Sequence, residues 1–527
     1  MTTIVLNEAQ NKAYKNLTRF LDSTKINEFI LLGPAGSGKT TVIVNAFNNK
    51  NIEVAFCAFT NKATQVLKKI SEKFSINFVA DFMTIHSLLR LDHKYLDNEK
   101  QIAFSFDTSK IEYLKKYKVL IFDECSTISK ELYGYIREAQ TYIKFVYGFS
   151  IKLIFLGDYW QLPPVSEDKS VVFNMCKEQA WPIAKLEKVM RSANDEMQVI
   201  NNNMLSWIPK FKNGHVDDFV QKFPYNLIPR NKKTYLPLDD FMEKFLETWR
   251  TGTPDTVILT YSKNNCVKTN HEIQDRLDIL SGRDIPQSRD VIKFHVGDRC
   301  CLERPVNLQT IVRKKDKLPL NITAELDAMI GNKIVEIDIV IDKPDSKSDG
   351  KIGDKSKNKI IDKVFLDTST GVTLYNGEIF DILNVEDVQV VTPLNRLKYI
   401  ADTFDGQLLT IARIHDASVK YEIIHIPEST INEARKLIKE NERKMFYLNL
   451  MSDFISRYPC LDYGYCITIY KSQGSEWDTV FVNISSIKWS IVGKGYVANY
   501  KKKAQLFKTS YTALSRASKK IYCFWPK

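Results

Sequence analysis

The chain has no C-x-x-C pair. Its nine cysteines fall at irregular spacings, and the only adjacent two are Cys300 and Cys301. That pattern offers no start for a zinc site or a dithiol redox motif, and its natural reading is reduced, mostly buried thiols in a cytosol-like compartment. Long apolar runs are missing as well: none approaches the roughly 18 residues needed to span a bilayer. The start, Met1-Thr-Thr-Ile-Val-Leu-Asn-Glu8, has no basic stretch followed by a long apolar core, which leaves out a secretory signal. A soluble, cytoplasmic protein with no membrane partner is the expectation. There is no internal repeat, so repeat architectures are set aside.

What is present points to several cores and an acidic partner. With 527 residues, 44% of them apolar, the chain is too long for one core and long enough for about three or four domains. The 75 Lys plus Arg exceed the 63 Asp plus Glu, a net charge of +12. Such a balance favours a polyanion, nucleic acid first, if the charge is clustered; spread evenly it is only a solvated surface.

Residues Gly33-Pro34-Ala35-Gly36-Ser37-Gly38-Lys39-Thr40 spell G-x-x-x-x-G-K-[ST], between the apolar run Phe29–Leu32 and a helix-like stretch from Thr41 to Phe47. Strand, tight turn and helix is the setting in which successive backbone N–H groups and a helix N-terminus cradle a triphosphate. Lys39 would meet the outer phosphates, Thr40 would bind Mg²⁺, and Thr41 completes the cradle. The expected activity is nucleotide triphosphate hydrolysis.

Short apolar runs at Ile30–Leu32, Val54–Phe59, Val119–Phe122 and Leu153–Leu156, several separated by helix-like stretches, predict a parallel sheet with helices on both faces. A second series, Thr256–Tyr261, Thr479–Ile484 and Lys520–Trp525, predicts a second α/β core. Between its halves the texture changes. Residues 342–358 are mostly Lys, Asp, Ser and Gly with almost no apolar content, which reads as a mobile surface loop. Ile379 to Ile424 holds short β-rich runs broken at Asp405-Gly406 and His415–Ser418, which reads as a small β-barrel. Thr430-Ile-Asn-Glu433 looks like a capping box opening a long helix, and Pro459 ends the helical run after it.

The strand Val119–Phe122 ends in Asp123-Glu124, where a parallel sheet opens onto its ligand. One carboxylate can hold Mg²⁺, here Asp123, while the other, Glu124, orients and deprotonates the attacking water. At the next strand end stands Leu156-Gly-Asp158-Tyr-Trp-Gln161-Leu-Pro-Pro-Val165, in which the Gln161 amide is placed to sense the γ-phosphate.

Together these strings resemble the first three motifs of the superfamily 1 class B helicases, the group containing RecD, the phage Dda helicases and the petite-integration-frequency helicases. Further segments are similar to its other motifs, in order along nearly the whole chain. Leu6–Gln10 resembles the adenine-reading glutamine motif. Ala58–Ala63 and Thr84–Leu88 resemble motifs Ia and Ib, and Leu186–Arg191 resembles motif IV. Thr468–Glu476 resembles motif V, and Tyr511–Ala517 resembles motif VI. The resemblance implies that Gln10, Gly474 and Glu476 contact the nucleotide. It implies that Arg191 and Arg516, both planar forks suited to phosphate oxygens, reach the transferring phosphate as the cleft closes, and that Thr60, Asn61, Lys62, Thr84, His86, Thr468, Lys471 and Ser472 contact the strand. Such contacts position a strand without reading its sequence. Two departures stand out. Tyr470 replaces the usual motif V histidine, and the Gly-Gly signature of the petite-integration-frequency group is matched only loosely by Phe145–Ser150, which favours the RecD and Dda side.

Between motif Ib and the Asp-Glu strand, Leu88–Leu91 and Ile102–Phe106 flank a polar tip, Lys94 to Lys100, and read as a β-hairpin. In the resembling families a hairpin here is the pin that splits the duplex, with Tyr95, Leu96, Asp97 and Asn98 at its tip. The barrel holds the position of their SH3-like insertion, preceded by Thr373–Glu378, and the helix after Thr430 could buttress the pin.

The expected fold is α/β, two RecA-like parallel-sheet cores with an inserted hairpin and an inserted SH3-like barrel. The first core takes residues 1–87 and 107–196, the pin 88–106, the second core 197–300 and 459–527, and the insert 301–458. The expected function is a Mg·ATP-driven DNA helicase moving 5′ to 3′ on single strands and opening duplex forks in DNA replication, repair or recombination. Its candidate partners are a single-strand-binding protein or other replication proteins, and its composition hints at a phage or other viral source. The alternatives are an RNA-directed helicase or remodeller, and a nucleic-acid-binding scaffold with a vestigial ATP site.

Overall fold

The computed structural model describes all residues but 1–5, 49, 51, 60–63, 65–66, 68–77, 96–101, 166, 191–194, 230–232, 252–254, 286–291, 304–305, 314–333, 342–359, 375–377, 392–402, 415, 428–460, 494–497 and 526–527. The chain folds as two compact units, Met1–Cys266 with Ile467–Lys527, and Val267–Cys466.

The first unit holds two parallel sheets. Strands β1 (Glu28–Leu32), β2 (Glu53–Ala58), β3 (Val79–Thr84), β6 (Val119–Phe122), β7 (Lys152–Gly157) and β8 (Ile183–Lys185) make the first, in the order β3-β2-β6-β7-β1-β8. Every pairing in it is parallel. The apolar runs are continuous rather than alternating because both faces are covered. On one side Phe29, Leu31, Val54, Phe56, Ile121 and Ile154 pack with α1 (Glu8–Asp22) and α2 (Lys39–Phe47). On the other, Ile30, Ala55, Leu120, Phe122 and Phe155 pack with the helix Lys130–Tyr147. One strand, β7, separates the phosphate-loop strand β1 from the Asp-Glu strand β6, so three strand ends that carry motifs lie side by side.

The second sheet comprises β9 (Tyr235–Leu236), β10 (Thr256–Thr260), β19 (Cys466–Thr468), β20 (Trp477–Asn483) and β21 (Ala517–Phe524), ordered β19-β10-β20-β21-β9. Strands β10, β20, β21 and β9 pair in parallel. The predicted runs of both cores are thus strands, to within a few residues.

The hairpin is present with different arms. Strands β4 (Asp92–Tyr95) and β5 (Ile102–Ser105) pair antiparallel, from Asp92 opposite Ser105 to Tyr95 opposite Ile102. Leu88–Leu91, expected as the first arm, is instead the end of the helix Ile85–Leu88 and the turn after it, where Arg90 takes φ 46°. Leu88 and Leu89 are buried in the first core. Two adjacent leucines facing one core suit a helix end, whereas successive strand residues face opposite sides.

The second unit is built on antiparallel strands. Strands β11 (Arg299–Leu302), β12 (Val306–Arg313), β13 (Ile334–Ile341), β14 (Ile360–Leu374), β15 (Ile379–Val391) and β18 (Leu461–Tyr463) run in the order β12-β14-β13-β15-β11-β18, and β16 (Thr403–Arg413) joins β15 to β17 (Asp416–His425). Asp405-Gly406, read as a turn, lies inside β16 opposite Gln389 and Val388. Pairing with a long neighbour overrides the local turn preference. Residues 267–300, expected with the second core, group with this insert: Gln274 Nε2 donates to Asp278 (3.0 Å) and Asp298 (3.3 Å), and Arg283 Nε meets Asp278 at 2.7 Å. The polar loop 342–358, the helix after Thr430 and Tyr375–Gly377 lie outside the described residues.

Candidate active site

The phosphate loop joins β1 to α2. Gly36 and Gly38 take φ of 72° and 85°, a region that costs glycine nothing. The helix α2 begins at Lys39, two residues earlier than expected, so its N-terminus opens directly on the loop. A Cβ on Gly33 would stand 2.9 Å from the Leu186 carbonyl oxygen, so that position has no room for a side chain. Pro34 is buried, and Ala35, Thr40 and Thr41 are half-buried around the turn. Lys39 Nζ donates to the carbonyl oxygens of Gly33 (2.8 Å) and Pro34 (3.1 Å), curling its charge over the loop. Ser37 Oγ is buried without a hydrogen-bond partner. Such an orphan costs about 1–3 kcal/mol, which an acceptor ligand would relieve, and the loop therefore fits a phosphate.

Gln10 is buried, and its amide is occupied locally. Its Oε1 accepts from Asn7 N–H (3.1 Å) while Asn7 Oδ1 accepts from Gln10 N–H (2.9 Å), a capping box at the start of α1. Its Nε2 donates to the Ser37 carbonyl at 3.2 Å and so braces the loop.

Asp123 closes β6, with Oδ1 accepting from Glu124 N–H at 2.8 Å. Burial and the adjacent Glu124 push its carboxyl up to about 6, and Lys39 pulls the other way. Glu124 has φ 53°, a left-handed conformation costing roughly 1–2 kcal/mol in a residue with a Cβ. It turns the chain into the single turn Cys125–Thr127, where Thr127 N–H and Oγ1 both donate to the Glu124 carbonyl (2.9 and 2.8 Å). Strained non-glycine backbone of this kind clusters at functional positions.

At the end of β7, Asp158 is buried; its Oδ1 accepts from Trp160 N–H (3.0 Å) and its Oδ2 from the Tyr511 phenol (2.6 Å). Burial raises its carboxyl above the usual range, again opposed by Lys39. Gln161 is 2% exposed. Lys39 and Glu124 therefore both act on Asp123 and on Asp158.

Arg516 is buried, and its guanidinium donates to the carbonyls of Thr512 (3.1 Å) and Ser475 (3.3 Å) and to Ser515 Oγ (3.1 Å). Gly474 takes φ 72°, and Glu476 is half-buried two residues on. Thr468 Oγ1 accepts from Lys471 N–H (3.3 Å), and the fully buried Ser472 donates its hydroxyl to the Ile469 carbonyl (2.7 Å). Thr84 caps the helix Ile85–Leu88 by accepting from Ser87 N–H (3.1 Å), and the His86 ring sits edge-on to Phe59 at 5.5 Å. These short polar residues shape their turns as well as lining them. Thr60, Asn61, Lys62, Arg191, Leu96, Asp97 and Asn98 lie outside the described residues, and of Tyr95 only the backbone is described. Met190 N–H, next to Arg191, donates to the Gly36 carbonyl at 2.8 Å.

Sequence reading did not pair the third motif with the fifth and sixth. Besides Tyr511 on Asp158, Leu162 N–H donates to Thr512 Oγ1 (3.0 Å) and Gln473 Nε2 to the Leu162 carbonyl (3.2 Å). The residues were all inside recognised strings; their partnership, across 311 to 353 positions, was not.

Residues 5–206 match the family model described as AAA domain. That match takes in the phosphate loop, Asp123-Glu124 and Gln161, and fewer than half of the 527 residues. Over 562 residues of alignment this chain is 23% identical to an uncharacterized protein of Acanthamoeba polyphaga mimivirus, covering 98% of this chain and 99% of that one. It is also 23% identical over 506 residues to an uncharacterized protein of Methanocaldococcus jannaschii, covering 94% of this chain but only 36% of the archaeal protein. Among solved structures, a Bacteroides Pif1 helicase in complex with ADP-AlF3 and ssDNA gives a TM-score of 0.43 at 16% identity, covering 100% of this chain and 95% of that one. The Pif1 helicase of Candida albicans gives 0.42 at 14%, covering 100% and 96%. Among the described residues no helix is long and apolar enough to cross a membrane.

Proposed function

We propose that this chain is an ATP-dependent helicase that moves 5′ to 3′ along single-stranded DNA and opens duplex ahead of it. The observation that supports this reading most is the convergence of Lys39, Asp123 and Asp158 at three adjacent strand ends, with motif VI of the second parallel sheet bonded to the same place. In this reading Thr40 and Asp123 hold Mg²⁺, whose preference for hard oxygen donors suits a hydroxyl and a carboxylate. Bound there, the ion would neutralise charge on the outer phosphates. Glu124 takes the proton of the attacking water, Gln161 senses the terminal phosphate, and Arg191 and Arg516 approach it on closure. Gln10, Gly474 and Glu476 flank the nucleotide.

Residues Thr60, Asn61, Lys62, Thr84, His86, Thr468, Lys471 and Ser472 form the strand track, β4 and β5 carry the pin, and the antiparallel insert is the SH3-like barrel. Work at DNA forks in replication, repair or recombination in the cytoplasm follows, with a single-strand-binding or replication protein as partner. A strand-displacement assay on 5′-tailed and 3′-tailed duplexes tests the core of it: unwinding is expected only from the 5′ tail with Mg·ATP, and 3′-tail preference would overturn the polarity. Stronger stimulation of ATP hydrolysis by RNA oligomers than by DNA would favour an RNA-directed enzyme.

Contacts to phosphates also set how binding responds to salt. The logarithm of single-strand affinity is expected to fall linearly with the logarithm of salt, by about 0.7 per phosphate neutralised, and to vary little among oligomers of matched length. Fluorescence anisotropy across a salt series checks this. A salt-independent affinity would remove the phosphate track from the account.

A further inference from the structure

Asp158 is a buried carboxylate with both oxygens occupied, one by Trp160 N–H (3.0 Å) and the other by the phenol of Tyr511 (2.6 Å). The phenol comes from the helix Tyr500–Leu514, which packs with the second sheet, whereas Asp158 ends β7 of the first. Tyr511 is 2% exposed, and the backbone N–H of Ala35, inside the phosphate loop, also acts on its oxygen. One hydroxyl thus holds the carboxylate that shapes the Trp160-Gln161 turn.

Two neighbouring bonds hold the same turn in a different way. Leu162 N–H to Thr512 Oγ1 and Gln473 Nε2 to the Leu162 carbonyl fasten its far end to the helix Tyr500–Leu514 and to the turn after β19. The Trp160 ring adds apolar packing against Phe507 at 5.6 Å and Phe211 at 5.9 Å. Removing one hydroxyl from such a junction leaves the packing intact. It leaves Asp158 with a buried oxygen that has lost its charge-assisted partner, and frees the turn that presents Gln161.

We propose that Tyr511 is a positioning residue that holds Asp158 beside the phosphate loop and so sets the placement of Gln161 for hydrolysis. The inference rests on the helicase reading above. Its action is through Asp158 and the turn, so it belongs to the chemical step rather than to nucleotide capture. A misplacement of about 1 Å at a reacting geometry costs roughly 100-fold in rate.

The test uses the full chain with Tyr511→Phe and Thr512→Val, measuring ATP turnover at saturating single-stranded DNA, KM for ATP, binding of a fluorescent ADP, and thermal melting. Tyr511→Phe is expected to lower kcat roughly 100-fold while KM and ADP affinity stay within a few-fold of the parent and melting stays cooperative. Thr512→Val, which removes a bond at the same junction without touching the loop, is expected to stay near the parent kcat. A parental kcat in Tyr511→Phe overturns the proposal. So does an equal loss in Thr512→Val, which would make the junction simple glue, and so does a fall in ADP affinity that accounts for the whole effect. If Tyr511→Phe fails to fold, Asp158→Asn replaces it, with the same kcat-selective loss expected and the same outcomes overturning the role. A parent chain with no DNA-stimulated hydrolysis would overturn the helicase reading and this role together, whereas an active parent with an unchanged Tyr511→Phe overturns the role alone.

Discussion

Lys39→Ala is expected to abolish DNA-stimulated ATP hydrolysis, with a loss of about 1000-fold or more, the scale of removing a preorganised charge from a developing phosphate oxyanion. The ammonium is held over the loop by two carbonyl oxygens of that loop, Gly33 and Pro34, and bound phosphate oxygens would take over those donors. It is also the positive charge opposing the two buried carboxylates Asp123 and Asp158. Without it an anionic nucleotide meets an uncompensated acidic floor, so binding fails along with chemistry. Glu124→Gln should behave differently. The glutamine keeps the shape at a strained backbone position and removes only the proton acceptor, so nucleotide binding is retained while turnover falls by about 100- to 10,000-fold. Parallel measurement of ADP binding and steady-state hydrolysis separates the two. Near-parental turnover in Glu124→Gln would show that another group takes the proton.

Replacing residues 96–101 by a short Gly-Ser turn is expected to leave single-strand binding and ATP hydrolysis intact while duplex unwinding collapses. The paired arms Asp92–Tyr95 and Ile102–Ser105 stay in this variant, so the fold of the first core has no reason to change. Every phosphate-site residue lies outside the deletion. Translocation by itself only pulls on a strand; opening each base-pair step costs about 1.4 kcal/mol of stacking on average and needs a rigid wedge at the fork. A fluorescence strand-displacement assay beside an ATPase assay reads both quantities. Preserved unwinding would return the hairpin to an ordinary edge element, and a matching loss of ATPase would show that it supports the core instead.

Local chemistry carried much of this protein. The apolar runs at Phe29–Leu32, Val119–Phe122 and Thr256–Thr260 read as buried parallel strands, since continuous apolar character suits a strand covered on both faces, and each is one. Gly33 to Thr40 needed no tertiary context, because glycine conformation, helix start and lysine reach are properties of one short segment. Where neighbours in space compete with neighbours in sequence, the local reading failed. Asp405-Gly406 has the composition of a turn, yet it pairs with Gln389 and Val388 because a long adjacent strand offers a full ladder. Leu88 and Leu89 alternate poorly for a strand, and only the first core's apolar interior decided that they end a helix.

The sequence by itself determined which residues can handle a phosphate: a lysine after a glycine turn, two carboxylates at a strand end, and an arginine in a late motif. Tertiary structure alone decided which of them meet. Tyr511 and Asp158 are 353 positions apart, and their 2.6 Å hydrogen bond carries no trace in spacing or composition. Nor does the bracing role of Gln10, whose Nε2 donates to the Ser37 carbonyl at 3.2 Å. The reason is physical: a side chain's intrinsic chemistry is fixed by its covalent structure, whereas its desolvation and its partners are fixed by whatever the packed chain places around it.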